Sequence, residues 1–226
     1  MYEESILENQ FINDKSLETL GVVKKIISEL DILDEEFKDL FSMDAGVIEN
    51  LTIKQHTLMV LRQFDRYFAG KNFPDGITDD FFRMLFVLHD VGKPIAIQKG
   101  DIKLQHQETV KLIEPILKKL DYSDFEINLS KIIIGSDPIG PYLRFGEIEE
   151  AVFKIRKMFK KSGLSSKNFF SVLLIYYMCD ASSYTRDAGG LPSLDKLFVF
   201  DHENKKLEFS EETQIKMNKL VESIFW

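Results

Sequence analysis

Apolar positions recur at helical spacing along most of the chain. Asn13 or Asp14 can cap a helix, and Leu17, Leu20, Val23, Ile27 and Leu30 then share one face, which predicts a helix to about Leu30. A short helix is expected near Glu35–Phe41. After Asn50 the pattern predicts a long helix to about Ala69, with His56, Val60, Gln63, Phe64 and Tyr67 along related faces. AGKNFPDGI ends it with Gly70, Pro74 and Gly76. Thr78, followed by Asp79 and Asp80, caps the next helix, because early carboxylates suit the positive end of a helix dipole. That helix runs through FFRMLFVLHD and is expected to stop at Gly92 and Pro94. Further helices are predicted at about Gln105–Leu120, Ser123–Ile134, Glu147–Lys161 and Ser165–Ser183, with GSDPIGP as a structured turn between the second and third.

The string FVFDHENKKLEF alternates around a polar centre and predicts a β-hairpin. Ser210 is placed to cap a last helix carrying Ile215, Leu220, Val221 and Ile224. The expected fold class is all-α: a helical bundle with one small β-hairpin near the C-terminus. Residues 1–226 read as a single domain. Its core spans about 51–183, and helices in 13–41 and a hairpin plus helix in 197–226 pack on it.

Composition changes this picture little. Hydrophobic residues make up 44% and charged residues 29%, ordinary for a soluble globular chain, while 19 Phe predict a ring-packed core. The net charge of −8 argues against wrapping duplex nucleic acid, which calls for a basic face. A small phosphorylated substrate stays compatible, because a metal ion supplies positive charge locally. Cys179 is the one cysteine, so no intrachain disulfide can form, and a reducing compartment is expected. The N-terminus is acidic without an apolar signal core, and no apolar run reaches the roughly 20 residues of a membrane span. The expectation is a cytoplasmic protein with no membrane association.

The candidate chemistry lies in the middle of the chain. Of four histidines, His56, His89 and His106 fall there, and His89 is followed directly by Asp90 in LHDVGKP. Imidazole nitrogens with carboxylate oxygens suit Zn, Mn, Fe or Ni better than Ca. Adjacent residues on a helix point about 100° apart, so one ion can take both His89 and Asp90 only where the helix ends. His56 alone reads as a satisfied core histidine, and Asp180 alone as a cap. Yet Asp180 follows the very apolar FFSVLLIYYMC, where an unpaired carboxylate is costly. His202 reads as an exposed hairpin residue and Cys179 as small core packing.

At these residues the sequence resembles the HD superfamily of metal-dependent phosphohydrolases. Its pattern is a His on one helix (His56, in KQHTLMVL), a His-Asp pair on the next (His89-Asp90) and a lone Asp on a later helix (Asp180, in YYMCD). The resemblance spans roughly Leu51 to Ser183. It implies an all-α bundle holding a divalent ion (Mn, Zn, Fe, Ni or Mg) that activates a water for attack on phosphorus. It implies His106 as a second-site or phosphate ligand. Members with two metals carry a further His where this chain has Asp137, so one ion is expected. Lys93 takes a place where another branch has Glu, which implies charge stabilisation and leaves Asp90 both to ligate and to accept the nucleophile's proton. Arg144 and Arg186 are candidates for phosphate contact through their guanidinium forks. ASSYTRDAGGLPSL, with Gly189-Gly190, is a candidate loop closing over substrate.

The implied activity is hydrolysis of a nucleotide or related small phosphate ester. Alternatives are a cyclic nucleotide or dinucleotide phosphodiesterase, and a non-catalytic HD-like module that binds a nucleotide or partner protein. Oxygen chemistry on two irons, known in some relatives, is disfavoured by the ligand count.

Overall fold

The computed structural model describes residues 35–46, 50–74 and 76–226. The helix expected between Asn13 and Leu30 lies outside them. The described helices are α1 (Glu35–Ser42), α2 (Ile53–Tyr67), α3 (Asp79–Leu88), α4 (Lys93–Gln98), α5 (Gln105–Lys119), α6 (Asp124–Ile134), α7 (Ile139–Phe145), α8 (Ile148–Ser162), α9 (Ser166–Ser183) and α10 (Glu211–Phe225). Strands β1 (Phe198–Asp201) and β2 (Lys206–Phe209) form the antiparallel hairpin, with Phe198 opposite Phe209. The fold is mostly helical, as expected.

Local chemistry sets the helix starts. Thr52 accepts a hydrogen bond from the Gln55 amide while the Gln55 side chain accepts from the Thr52 amide, a reciprocal capping box. Ser123 and Glu126 repeat it at α6. Thr78 and Ser165 each accept from an amide three residues on. Ser210 does precede α10, but its hydroxyl meets the Thr213 hydroxyl at 3.0 Å rather than a backbone amide.

Two turns differ from expectation. Pro94 stops nothing: it sits in the first turn of α4, where a missing N–H and a fixed φ are tolerated. GSDPIGP is partly helical, because Pro138 leads directly into α7. Of the apolar residues expected on α10, Ile215 is exposed, and Met217 joins Leu220 and Ile224 on the buried face.

The core is continuous among the described residues and rich in rings. Phe64, Phe82 and Phe86 pack at centroid distances of 5.3–6.0 Å, and Tyr176 of α9 stacks on Phe86 at 5.9 Å. Such pairs add about 0.5–1.5 kcal/mol each beyond buried area. The helix α9 packs mainly on α2 and buries residues around much of its circumference, including Phe169, Val172, Leu173 and Cys179. Among the described residues no helix is long and apolar enough to cross a membrane.

The turn between α3 and α4 is pressed onto α5. The Gly92 amide donates to Thr109 Oγ1 at 3.1 Å, and the Thr109 hydroxyl donates to the Gln105 carbonyl at 2.8 Å. A Cβ on Gly92 would lie 2.1 Å from the Thr109 backbone nitrogen, which cannot swing away. Gly92→Ala is therefore expected to destabilise the fold by about 3 kcal/mol or more, as overpacking against backbone does. Urea unfolding checks this, and an unchanged midpoint would refute the contact.

On the surface, Glu114 is paired with Lys131 and, at 3.0 Å, with Lys118, which hold its carboxyl down to about 2. A depressed carboxylate stabilises the fold above its unfolded pKa, and that contribution is lost as pH falls toward the folded value. Lys131→Met should bring the Glu114 carboxyl back up toward the ordinary glutamate range, read by NMR titration.

Candidate metal centre

Three helices deliver the site. His56 lies in the second turn of α2 on its buried face, His89 is the C-cap of α3, Asp90 follows in the turn, and Asp180 is in the last turn of α9. His89 at the C-cap of α3 and Asp90 in the turn that follows both face His56.

The ligand-type atoms converge. His56 Nε2 is 3.2 Å from His89 Nε2, 3.3 Å from Asp90 Oδ2 and 3.3 Å from Asp180 Oδ1. His89 Nε2 is 3.4 Å from Asp90 Oδ2 and 3.6 Å from Asp180 Oδ1. His56, His89 and Asp180 each offer one atom within 4.8 Å of the others, the spacing of groups that can share an ion. With metal–ligand bonds of about 2.1 Å, neighbouring ligand atoms stand about 3.0–3.4 Å apart, so the observed spacing fits.

Protonation geometry favours the same reading. His89 Nδ1 is 2.6 Å from the Phe86 carbonyl, which only accepts, so Nδ1 carries the proton and Nε2 presents its lone pair to the cluster. Asp180 Oδ1 is buried with no hydrogen-bond partner, as is His56 Nδ1. A buried carboxylate oxygen facing two imidazole nitrogens has the chemistry to take a cation.

Electrostatics hold the carboxylates ionised. Burial opposes charge on Asp90, but His89, Lys93 and His56 outweigh it and keep its carboxyl well below the usual range. Burial likewise opposes charge on Asp180, and the imidazoles of His56 and His89 facing it outweigh that and hold its carboxyl below the ordinary value. Burial would lower His56, yet Asp180 and Asp90 raise it above its ordinary value. Lys93 Nζ sits 2.6 Å from Asp90 Oδ2, the same oxygen that faces the histidines. Side-chain exposure is 0% for His56, 1% for His89, 13% for Asp90 and 34% for Asp180, so the centre opens to solvent on the Asp180 side.

The other expected site residues lie further out. His106 Nδ1 is bonded to the Ile134 carbonyl at 2.8 Å, and His106 is outside the converging group. Asp137 accepts from the Ile139 and Gly140 amides. Burial and the nearby Asp180 push its carboxyl above the ordinary value, against the pull of the Gly140 amide and His106. Arg144 is exposed over the Phe145 ring at 5.7 Å. Arg186 is paired with Asp195 at 2.6 Å, with its side chain 72% exposed. Neither arginine pairs with Asp90 or Asp180 among the described residues.

The segment after α9 is pinned instead of free to close. Its Asp187 accepts from Gln63 Nε2, Arg66 Nη1 and Tyr67 OH, each at 3.1 Å. His202 joins them, with Nε2 3.3 Å from Asp187 Oδ1 and Nδ1 3.2 Å from Tyr67 OH. Two participants went unread in the sequence: Asp187 as this anchor, and Tyr184, whose OH is 3.0 Å from His56 Nε2. Their spacing gave one signal, since Tyr184 is four residues after Asp180 and so near its face of the helix end.

A centre that binds an ion only when folded is stabilised by it. At a divalent-ion concentration 100 times Kd the gain is about 2.7 kcal/mol, which raises Tm by roughly 5–10 °C for a chain of this size. Scanning fluorimetry with Mn(II) or Zn(II), against chelator, should show that shift, and His56→Ala should abolish it.

Comparison with known proteins finds no matching family model, no matching curated protein and no matching solved structure. The candidate site therefore stands on its own geometry.

Proposed function

We propose that this chain is a metal-dependent phosphohydrolase of the HD type, acting on a nucleotide or related small phosphate ester. The observation that carries the reading is the convergence of His56, His89 and Asp180 on one point, with Asp180 Oδ1 buried and unbonded. Asp90 Oδ2, close to both histidines, would complete a set of two nitrogens and two oxygens. That set suits Mn, Zn, Fe, Ni or Mg. When bound, such an ion lowers the pKa of a coordinated water and offsets charge developing on a phosphate.

The chain's own groups would do the rest. His56 and His89 orient the centre from a buried floor. The carboxyl of Asp90, held low by its cationic neighbours, is a weak proton acceptor, which supports a ligand role anchored by Lys93. Lys93 would also balance charge on a bound phosphate. The opening beside Asp180 and the chain's negative net charge both favour a small substrate over a long polyanion. A second reading, a non-catalytic nucleotide- or partner-binding module, draws support from the Lys93–Asp90 pair, which already neutralises one carboxylate without an ion.

The test is elemental analysis of purified protein joined to phosphate-release assays. Substrates are nucleoside mono-, di- and triphosphates, cyclic nucleotides and p-nitrophenyl phosphate. Hydrolysis is expected to need a divalent ion. His89→Ala and Asp180→Asn should each reduce it by about 10³-fold or more, with loss of bound metal. Hydrolysis that persists in fully metal-free protein would sink the mechanism. A metal-loaded protein that binds nucleotide and cleaves none of the panel would establish the binding module.

A further inference from the structure

Tyr184 caps the C-terminal end of α9, one helical turn beyond Asp180. Its ring stacks on the His56 imidazole, with centroids 4.7 Å apart and planes 25° from parallel. Its hydroxyl oxygen is 3.0 Å from His56 Nε2, the same atom that faces His89, Asp90 and Asp180. This spacing is close to that between the ligand atoms themselves. A stacked phenol brings its oxygen toward the face of the imidazole, whereas the Nε2 lone pair lies in the ring plane. The in-plane direction thus stays available to the converging set, and the hydroxyl stands beside it.

We infer that Tyr184 is a substrate-contacting residue, donating a hydrogen bond to a phosphate oxygen held at the metal centre next to His56. The inference rests on the metal-centre reading above. Once an ion takes the Nε2 lone pair, the hydroxyl can no longer donate to that nitrogen, and an oxygen carried by the ion on the His56 side comes within its reach. A phenol is a neutral hydrogen-bond donor at neutral pH, so a donor role asks for no deprotonation beside the two carboxylates. Position agrees, because Tyr184 is partly exposed and follows Asp180, the ligand with the open edge. A phosphate arriving through that opening meets the hydroxyl and the ion together. Lys93, on Asp90, adds a cationic donor to the same cluster.

The test uses Tyr184→Phe, which keeps the ring stacked on His56 and removes only the hydroxyl. Mn(II) affinity is measured by calorimetry, and inorganic phosphate affinity is then measured on the Mn-loaded protein. The variant is expected to bind Mn(II) within about threefold of wild type and to bind phosphate about tenfold more weakly, the size of effect for a lost hydrogen bond to a charged acceptor. Phosphate affinity unchanged within twofold would overturn the inference alone. Mn(II) affinity lowered tenfold or more would also overturn it, making Tyr184 a ligand. A wild-type protein that takes up no divalent ion would overturn the metal-centre reading and this inference with it.

Discussion

Two buried imidazoles face each other across 3.2 Å, and two carboxylates are drawn in beside them. That cluster is the constraint around which the rest is organised. Buried carboxylates carry a heavy desolvation cost unless positive charge or hydrogen bonds meet them. The chain meets it with donors from three helices whose packing is fixed by aromatic rings on every side. The Phe64–Phe82–Phe86 stack holds α2 against α3, and Tyr176 on Phe86 holds α9 in place. The rings set the helix spacing, and the spacing sets the ligand distances.

The second organising contact is electrostatic and lies one layer out. Asp187 gathers Gln63, Arg66 and Tyr67 from α2 and His202 from the hairpin. It follows Asp180 by seven residues, just past the end of α9, so the end of the helix that presents Asp180 is tied back to the helix that presents His56. The hairpin contributes to the same tie through His202. A segment whose glycines suggested mobility is thereby given a buried anchor.

Much of this was legible in the sequence, and the parts that were not share a cause. Helical periodicity and cap residues located α2, α3, α5, α6, α8 and α9 closely, because both are local signals. His56, His89 and Asp180 were legible as a set because few residue types combine to hold a metal. Pro94 misled because proline both ends and begins helices, and which it does depends on the turn geometry around Gly92. Ile215 misled because it stands about 200° around α10 from Met217, so the face that packs Met217, Leu220 and Ile224 leaves it outside. Tyr184 and Asp187 went unread, apart from the four-residue spacing of Tyr184 from Asp180, because their partners are about 120 residues distant in sequence and on another helix. His202 read as a plain exposed residue, and it is 62% exposed, yet both its ring nitrogens are engaged.

The graded side-chain exposure of the cluster, from 0% at His56 to 34% at Asp180, has a further consequence. On the reading proposed above, an ion seated on the two histidines would lie deeper than anything that meets Asp180, so a phosphate bound on the exposed side would stand between the ion and solvent. The sidedness of the cluster thus gives it an inner and an outer end, which its composition alone does not contain.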